Sequence, residues 1–541
     1  MDEFTDTQLA CQLAKGAELY YDGSFFFRMP FLEHFLSWFC NGAQDSFATL
    51  VVARQVMLSG SMVIMFFTYL TARRVFGSVV GLLALFMLCT YTTFLDRSFH
   101  VRADLLSTVF ASGALFFATL SRRFATILTG VLLGFAIITT QKAIYFVLAF
   151  AVALIFCSLT CERNFKTAFR VIVKKTFLSI VGFLVCTGLY FSFIYFNWDY
   201  DIFFSKVFVD AFEAGITSHV YTGTWAYLKL TIQRNPVIWF LGVYSIAIAI
   251  LIPLVAKLRF CENRKQYKLL AFIGAWGSVQ LFFTAYHTVK FPYFFLNVAP
   301  ILAITSSLAL VQLFTFSVFV RSWQKTIIVI GLVVVISYFP IKRHLFHLEN
   351  REKTAIQKVV ISRVESLTTV DDAVLDGVGM VVSRKKATPY SMTSRWHARR
   401  QTGQYEDVLR WIERTEPKIF IHNYRYDKFS VDEREYISEN FIHDWANIWV
   451  VGKQITFSRK VTKKSINLLT NTQYAVLCGD ISKVFIDGSS AKKIMKLQSG
   501  YHLIQVEYPV NKVTIILASA YTQKKPDFPD RHYKLFPSYY E

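Results

Sequence analysis

The chain has 541 residues, 54% of them hydrophobic, 53 of them phenylalanine, and a mean hydropathy of +0.38. That excludes an ordinary soluble globular protein and fits a polytopic membrane protein with a soluble domain attached. The net charge of +21 does not indicate nucleic-acid binding, because much of the excess lies in short loops between apolar runs, where it sets topology.

No signal peptide or span precedes Asp2, although the topology derived below puts the start of the chain outside, so the expectation is a missing first helix. Residues 1–48 read as an external amphipathic segment. Leu9, Leu13 and Ala17 recur at helical spacing, and Phe31, Phe35, Trp38 and Phe39 do so after Pro30, as in helices lying at a membrane interface. Ten spans are expected within 49–341: Val51–Leu70, Gly77–Leu95, Leu105–Leu120, Ala125–Thr140, Ala143–Leu159, Thr176–Phe196, Val237–Ala256, Leu269–Tyr286, Tyr293–Phe316 and Thr326–Phe339. The loop 197–236 holds Trp198, Tyr200, Phe203, Phe204, Phe208, Phe212, Tyr221, Trp225 and Tyr227, and so reads as interfacial helices rather than disorder.

Composition turns soluble from Lys342, and 342–541 reads as an extracytoplasmic domain. Val374–Asp376 before Gly377 is a strand and turn, and Tyr405–Glu413 is helical. Lys418–His422 is a short strand, and Lys483–Ile486 ends in the turn dipeptide Asp487-Gly488. Tyr501–Val506 and Val513–Leu517 alternate or run apolar as strands do. The sum is an α/β segment followed by a β-sandwich-like piece. The eight cysteines show no disulfide framework and no zinc spacing, and they read as packing residues.

Taken alternately, one set of loops holds Arg73, Arg74, Arg122, Arg123, Arg163, Lys166, Arg170, Lys174, Lys175, Lys257, Arg259, Arg264, Lys265, Lys268, Arg321 and Lys325. The other holds Arg97, Arg102, Lys142, Lys206, Lys229, Arg234 and Lys290. The positive-inside rule puts the richer set in the cytoplasm. The N-terminus, the 197–236 loop and the C-terminal third then lie outside.

Four groups of ionisable residues share that outer face. They are Asp2-Glu3 with Asp6; the hairpin from Asp96 to Asp104, with Arg97, His100 and Arg102; Lys142 after Gln141; and His287 to Tyr293, with Lys290. Carboxylates can take a proton from an attacking hydroxyl, and cations can hold a phosphate as it leaves. Charges at bilayer depth are costly, about 2.5–3.5 kcal/mol on insertion scales, so they are seldom idle. Singly, each has a plain alternative. The acidic start is also a solvated helix cap, Arg97 and Arg102 are also interface anchors, Lys142 also snorkels, and His287 is also a hydrogen-bonded interfacial histidine.

Asp2-Glu3, Gly16-Ala17-Glu18 and Phe27-Arg28-Met29-Pro30-Phe31-Leu32 resemble the first external loop of GT-C glycosyltransferases, in particular the bacterial lipid A aminoarabinose transferase and protein O-mannosyltransferase family. Arg28 and Pro30 match the family's Lys/Arg-Pro-Pro-Leu-like segment, while Met29 and Phe31 depart from it. Arg102-Ala103-Asp104 resembles the second external loop, Lys142 the lysine after the corresponding span, and Lys290-Phe291-Pro292-Tyr293 with Pro300 the Lys-x-x-x-Tyr…Pro pattern.

The resemblance implies an all-α membrane bundle of about ten spans, carrying the α/β plus β-sandwich-like domain outside. It implies inverting transfer of a sugar from a polyprenyl-phosphate donor to a lipid, glycan or protein acceptor. Asp2 would be the base with Glu3 beside it, and Asp104 would support the acceptor or a metal. Lys142 and Lys290 would bind the donor phosphate with Arg28 or Arg102, and Asp96, His100, His287 and Tyr293 would lend support. A divalent metal stays open as an accessory, since no ligand spacing requires one. The lack of Asn-x-Ser/Thr sequons is compatible with a bacterial inner membrane and a periplasm-facing site. A transporter or flippase of lipid-linked sugars and a non-catalytic scaffold are the rival readings.

Overall fold

A computed structural model describes all residues except 1, 21–25, 27, 41–44, 163, 212–223, 260–263, 288–289, 317–321, 350, 389–391, 393–406, 461 and 537–541; residues 2, 256–259, 264–265, 314–316, 322–323, 325–326, 329, 347–349 and 351–353 are described by their backbone alone. The chain forms two compact units. One comprises Met1–Phe26, Leu36–Val52 and Asn350–Glu541, and the other Phe27–Phe35 and Ala53–Glu349.

The helices, in chain order, begin with α1 (Asp2–Ala14), α2 (Phe31–Ser37), α3 (Ser46–Phe76), α4 (Ser78–Thr90), α5 (Thr92–Arg97), α6 (Ala103–Ala118), α7 (Arg123–Thr139), α8 (Ile144–Cys161) and α9 (Phe165–Asn197). Then come α10 (Tyr200–Phe204), α11 (Trp225–Arg234), α12 (Pro236–Arg259), α13 (Arg264–Tyr286), α14 (Ala299–Phe316) and α15 (Ser322–Glu349). Among the described residues, five stretches are long and apolar enough to cross a membrane: Ser46–Phe76, Gln141–Cys161, Phe165–Asn197, Pro236–Val255 and Gln266–Tyr286. Ser78–Thr90, Ala103–Ala118, Arg123–Thr139 and Ala299–Leu313 are apolar but shorter.

Two of the expected spans are interrupted. The run Gly77–Leu95 breaks at Tyr91, whose backbone is extended between α4 and α5. The cause is Asn235, just ahead of α12. Its Oδ1 accepts from the Thr92 N–H at 3.0 Å and its Nδ2 donates to Thr92 Oγ1 at 2.7 Å, which starts a new helix from a side-chain cap. The run from Tyr293 opens instead as a 3-10 turn, Pro292–Leu296, before α14.

Helices α7 and α9 meet backbone to backbone. A Cβ added at Gly130 of α7 would drive into the Ser179 carbonyl, and one at Gly182 of α9 into the Ile127 carbonyl. Small residues at such a crossing let the helix axes approach closely, which is how membrane helices gain packing without a hydrophobic driving force.

In the other unit, α1 packs on the C-terminal sheet region. Thr5 Oγ1 donates to the Val378 carbonyl at 2.8 Å, and the Phe4 ring meets Phe536 edge-on at 6.0 Å. The buried face of α1 is Glu3, Phe4, Asp6, Thr7, Gln8, Ala10 and Cys11, not the expected stripe; Leu9 and Leu13 are half-buried and Ala17 is exposed. The reading of every cysteine as a packing residue is also corrected. Cys11 at the end of α1 and Cys40 after α2 form a disulfide across 29 residues. Neither the spacing nor the flanking residues signal that pairing; tertiary folding alone brings the two together.

The remaining helices α16 (Arg351–Leu367), α17 (Val408–Thr415), α18 (Val431–Asn440) and α19 (Ala518–Thr522) accompany twelve strands. These are β1 (Ala373–Leu375), β2 (Lys385–Lys386), β3 (Ile419–Ile421), β4 (Phe441–Trp445), β5 (Ile448–Thr456), β6 (Lys463–Leu468), β7 (Thr472–Leu477), β8 (Val484–Ile486), β9 (Ser489–Ser490), β10 (Ile494–Leu497), β11 (Gly500–Val506) and β12 (Lys512–Leu517). One sheet runs β10-β7-β12-β5-β3-β1-β2 with β4 also on β5; its β1–β2 and β1–β3 pairs are parallel and the rest antiparallel. The other runs β6-β11-β8-β9, all antiparallel. Arg363 and Asp444 tie α16 to β4 through a buried two-pronged ion pair, at 3.0 and 3.2 Å.

Candidate active site

Three helix junctions of the membrane unit converge on one cluster of charged and aromatic side chains. Arg102 is in extended conformation ahead of α6, and Asp104 sits in that helix's first turn, where a carboxylate is favoured. Lys142 lies on a single 3-10 turn, Gln141–Ala143, between α7 and α8. Lys290 and Tyr293 flank Pro292, which begins the turn leading to α14.

Asp104 is the centre. Its Oδ1 lies 3.6 Å from Lys142 Nζ and its Oδ2 3.8 Å from Arg102 Nε, while Oδ1, though buried, has no hydrogen bond. The carboxylate thus holds two cations at ion-pair range and keeps acceptor capacity in hand. The Arg102 guanidinium lies 3.3 Å from the centre of the Tyr293 ring, and Lys142 Nζ 5.4 Å from it. The helix carrying Asp104 is fixed by Thr108, whose hydroxyl bonds both the Asp104 carbonyl at 2.7 Å and Asn297 Oδ1 at 2.9 Å.

Lys290 is buried with its ammonium on neutral partners. It donates to the His287 carbonyl at 2.5 Å and stands 3.7 Å from the centre of the Trp225 ring. The His287 ring stacks on Phe294 at 4.4 Å and hydrogen-bonds the Tyr145 hydroxyl at 3.0 Å. Burial first, then the Lys142 cation, pushes the His287 pKa down to about 3 against the partial opposition of Asp104, so the ring is neutral across the physiological range.

Thus Arg102, Asp104, Lys142, His287, Lys290 and Tyr293 come together. Other expected site residues have different neighbours. Arg28 Nη2 pairs with Glu33 at 3.0 Å, Asp96 with Arg343 Nε at 3.0 Å, and His100 with Arg97 at 3.1 Å. Glu3 is buried on α1 in the other unit, and the Asp2 side chain lies outside the described residues. Sequence reasoning missed Tyr145 and placed Trp225 only among the interfacial aromatics of the 197–236 loop. The first sits three residues after Lys142, one helical turn along, which was its available signal.

Among the described residues no three His, Cys, Asp or Glu side chains could hold a metal ion together. Asp104 with two cations against it is a poor donor set for a divalent cation.

No family model and no curated protein matches the chain. Solved structures do. ArnT from Cupriavidus metallidurans bound to undecaprenyl phosphate superposes with a TM-score of 0.56 at 14% identity, over 83% of this chain and 93% of that one. Its apo state gives 0.54 at 13% identity, over 83% and 92%. The oligosaccharyltransferase of Archaeoglobus fulgidus in complex with zinc and sulfate gives 0.50 at 12%, over 85% and 68%. At such identities the likeness is one of fold: the chain shares the fold of these proteins.

Proposed function

We propose that this chain is an integral membrane glycosyltransferase that moves a sugar, with inversion, from a polyprenyl-phosphate donor to a lipid, glycan or protein acceptor on the outer face. The observation that carries the reading is the pairing of Arg102 and Lys142 with Asp104, with Lys290 from a third helix junction acting on the same His287 ring. Arg102 and Lys142 share the one Asp104 carboxylate and Lys290 rests on neutral partners, so the cluster has charge to spare for a phosphate.

In the reaction an acceptor oxygen attacks the anomeric carbon, and the bond from that carbon to the phosphate oxygen breaks with its electron pair going to the phosphate. The acceptor proton passes to a carboxylate. Lys142 and Lys290 hold the donor phosphate, Arg102 assists, and Asp104 fixes the two cations beside it. The loop charges support an outward-facing site, and the Cys11–Cys40 disulfide supports an oxidising compartment for α1, in keeping with a bacterial periplasm.

The test is a transfer assay on the purified protein in lipid nanodiscs, following release of polyprenyl phosphate and the anomeric configuration of the product. Turnover lost in Lys142→Ala and in Lys290→Ala supports the assignment. A parent protein that transfers nothing from any polyprenyl-phosphate sugar, yet moves such lipids between leaflets, would replace it with the flippase reading.

A further inference from the structure

The soluble unit holds a group of buried polar atoms that sugar transfer does not use. They surround the loop Asp376-Gly377-Val378-Gly379, at the carboxyl ends of parallel strands β1 and β3. That edge of a parallel sheet is where α/β units meet their ligands.

Asp376 is buried and saturated. It accepts from the Val378 N–H at 3.0 Å, from the Met380 N–H, and from Asn423 Nδ2 at 3.0 Å. Its neighbours are not satisfied. Lys386 Nζ, Arg425 Nε and Gln8 Oε1 are all buried without a hydrogen-bond partner. Such atoms are rare in native structures and call for an explanation. Two glycines let these side chains approach the loop. Gly379 has φ +81°, and a Cβ there would collide with Gln8 Oε1; Lys386 Cε lies 3.4 Å from the same point. A Cβ at Gly377 would meet Arg425 Cβ at 2.8 Å.

A bare anion would satisfy Lys386 and Arg425 but would face the Gln8 oxygen and the Asp376 carboxylate. A hydroxyl group suits both sides, accepting from Lys386 Nζ while donating to Gln8 Oε1. A second hydroxyl on the adjoining carbon can then accept from Arg425 Nε. We propose that Gln8, Lys386 and Arg425, around the Gly377–Gly379 loop, form a binding site for a neutral sugar ring, read through vicinal hydroxyls. The Lys386 residue, on edge strand β2, is only partly buried overall. This is a second sugar site, built from residues of the other unit than the transfer cluster, and it stands whether or not the chain proves to be a transferase.

The experiment is saturation-transfer NMR on the full chain in a sugar-free amphipol. The probes are the methyl glycosides of mannose, glucose, galactose and arabinose, with cyclohexanol as the control lacking a diol. At least one glycoside should bind and cyclohexanol should not. Lys386→Met and Gln8→Leu should each weaken binding at least about tenfold, while Lys142→Ala should leave it unchanged. Thermal melts confirm folding, and Gln8→Leu carries the test if Lys386→Met does not fold. No transfer to any glycoside overturns the proposal, as does unchanged binding in the variants. Loss of binding in Lys142→Ala overturns it too, because the sugar would then sit at the transfer cluster.

Discussion

Asp104→Asn and Lys142→Met, made singly and together, ask whether the carboxylate and the ammonium work as one device. The separation of 3.6 Å gives a Coulomb attraction of about 4–5 kcal/mol at an effective dielectric of ~20. Lys142 is 34% exposed, however, and solvent screening brings the effective coupling to about 1–2 kcal/mol. Each single variant should lose about 100-fold in kcat/KM, since each leaves the phosphate-holding cation absent or misplaced. The double variant should then lose about 5- to 30-fold less than the product of the two single losses. The assay is steady-state transfer from a polyprenyl-phosphate sugar in nanodiscs, with thermal melts to exclude unfolding. Losses that multiply fully would show that the two groups act independently, and the account of Asp104 as the residue that positions Lys142 would have to be abandoned.

Trp225→Ala should raise the KM for the donor several-fold by removing the ring that carries the Lys290 ammonium, whereas Trp225→Phe should retain most of the activity; equal kinetics for the two would contradict that role. Cys11→Ser with Cys40→Ser should lower the stability of the unit that holds α1 and the C-terminal sheets by about 3 kcal/mol, seen as an earlier melting transition and reproduced by reductant on the parent. Gly182→Val should prevent assembly of α7 against α9, seen as aggregation on size exclusion; Gly188→Val on the same helix should be tolerated, because a Cβ there meets nothing within 4 Å. Burial pushes the Lys386 pKa down to about 8 from 10.5, with Asp376 and Asp6 opposing the shift. The unfolded chain therefore holds the extra proton between those values, so stability rises with pH across that window, by about 2–3 kcal/mol. Melts of the parent should show the rise and those of Lys386→Met should not.

Much of the membrane unit could be read from the chain because its cause is local. Apolar runs of the length of Phe165–Asn197 or Pro236–Val255 have few other uses, and the basic loops between such runs carry their own topology signal. The strands at Ile419–Ile421, Val484–Ile486 and Gly500–Val506 were likewise marked by β-rich runs and the Asp487-Gly488 turn. The break at Tyr91 was not marked, because it depends on Asn235, 143 residues away. Nor was the buried face of α1, where Phe4, Thr5 and Gln8 answer to Phe536, Val378 and Val381 rather than to a membrane surface.

The candidate site divides in the same way. The residue types and the order of Arg102, Asp104, Lys142 and Lys290 stand in the sequence, since each lies at a helix end that hydropathy already defines. Their neighbours do not: Tyr293 beneath Arg102, Trp225 against Lys290, Tyr145 on His287, and the pairing of Arg28 with Glu33 and Asp96 with Arg343. Hydrophobic length and charge sidedness are sums over neighbouring residues, so the sequence by itself determines them. Which side chain compensates which charge, which carbonyl lies against which glycine, and which cysteine meets which are set by contacts between distant segments, and only the packed tertiary structure decides them.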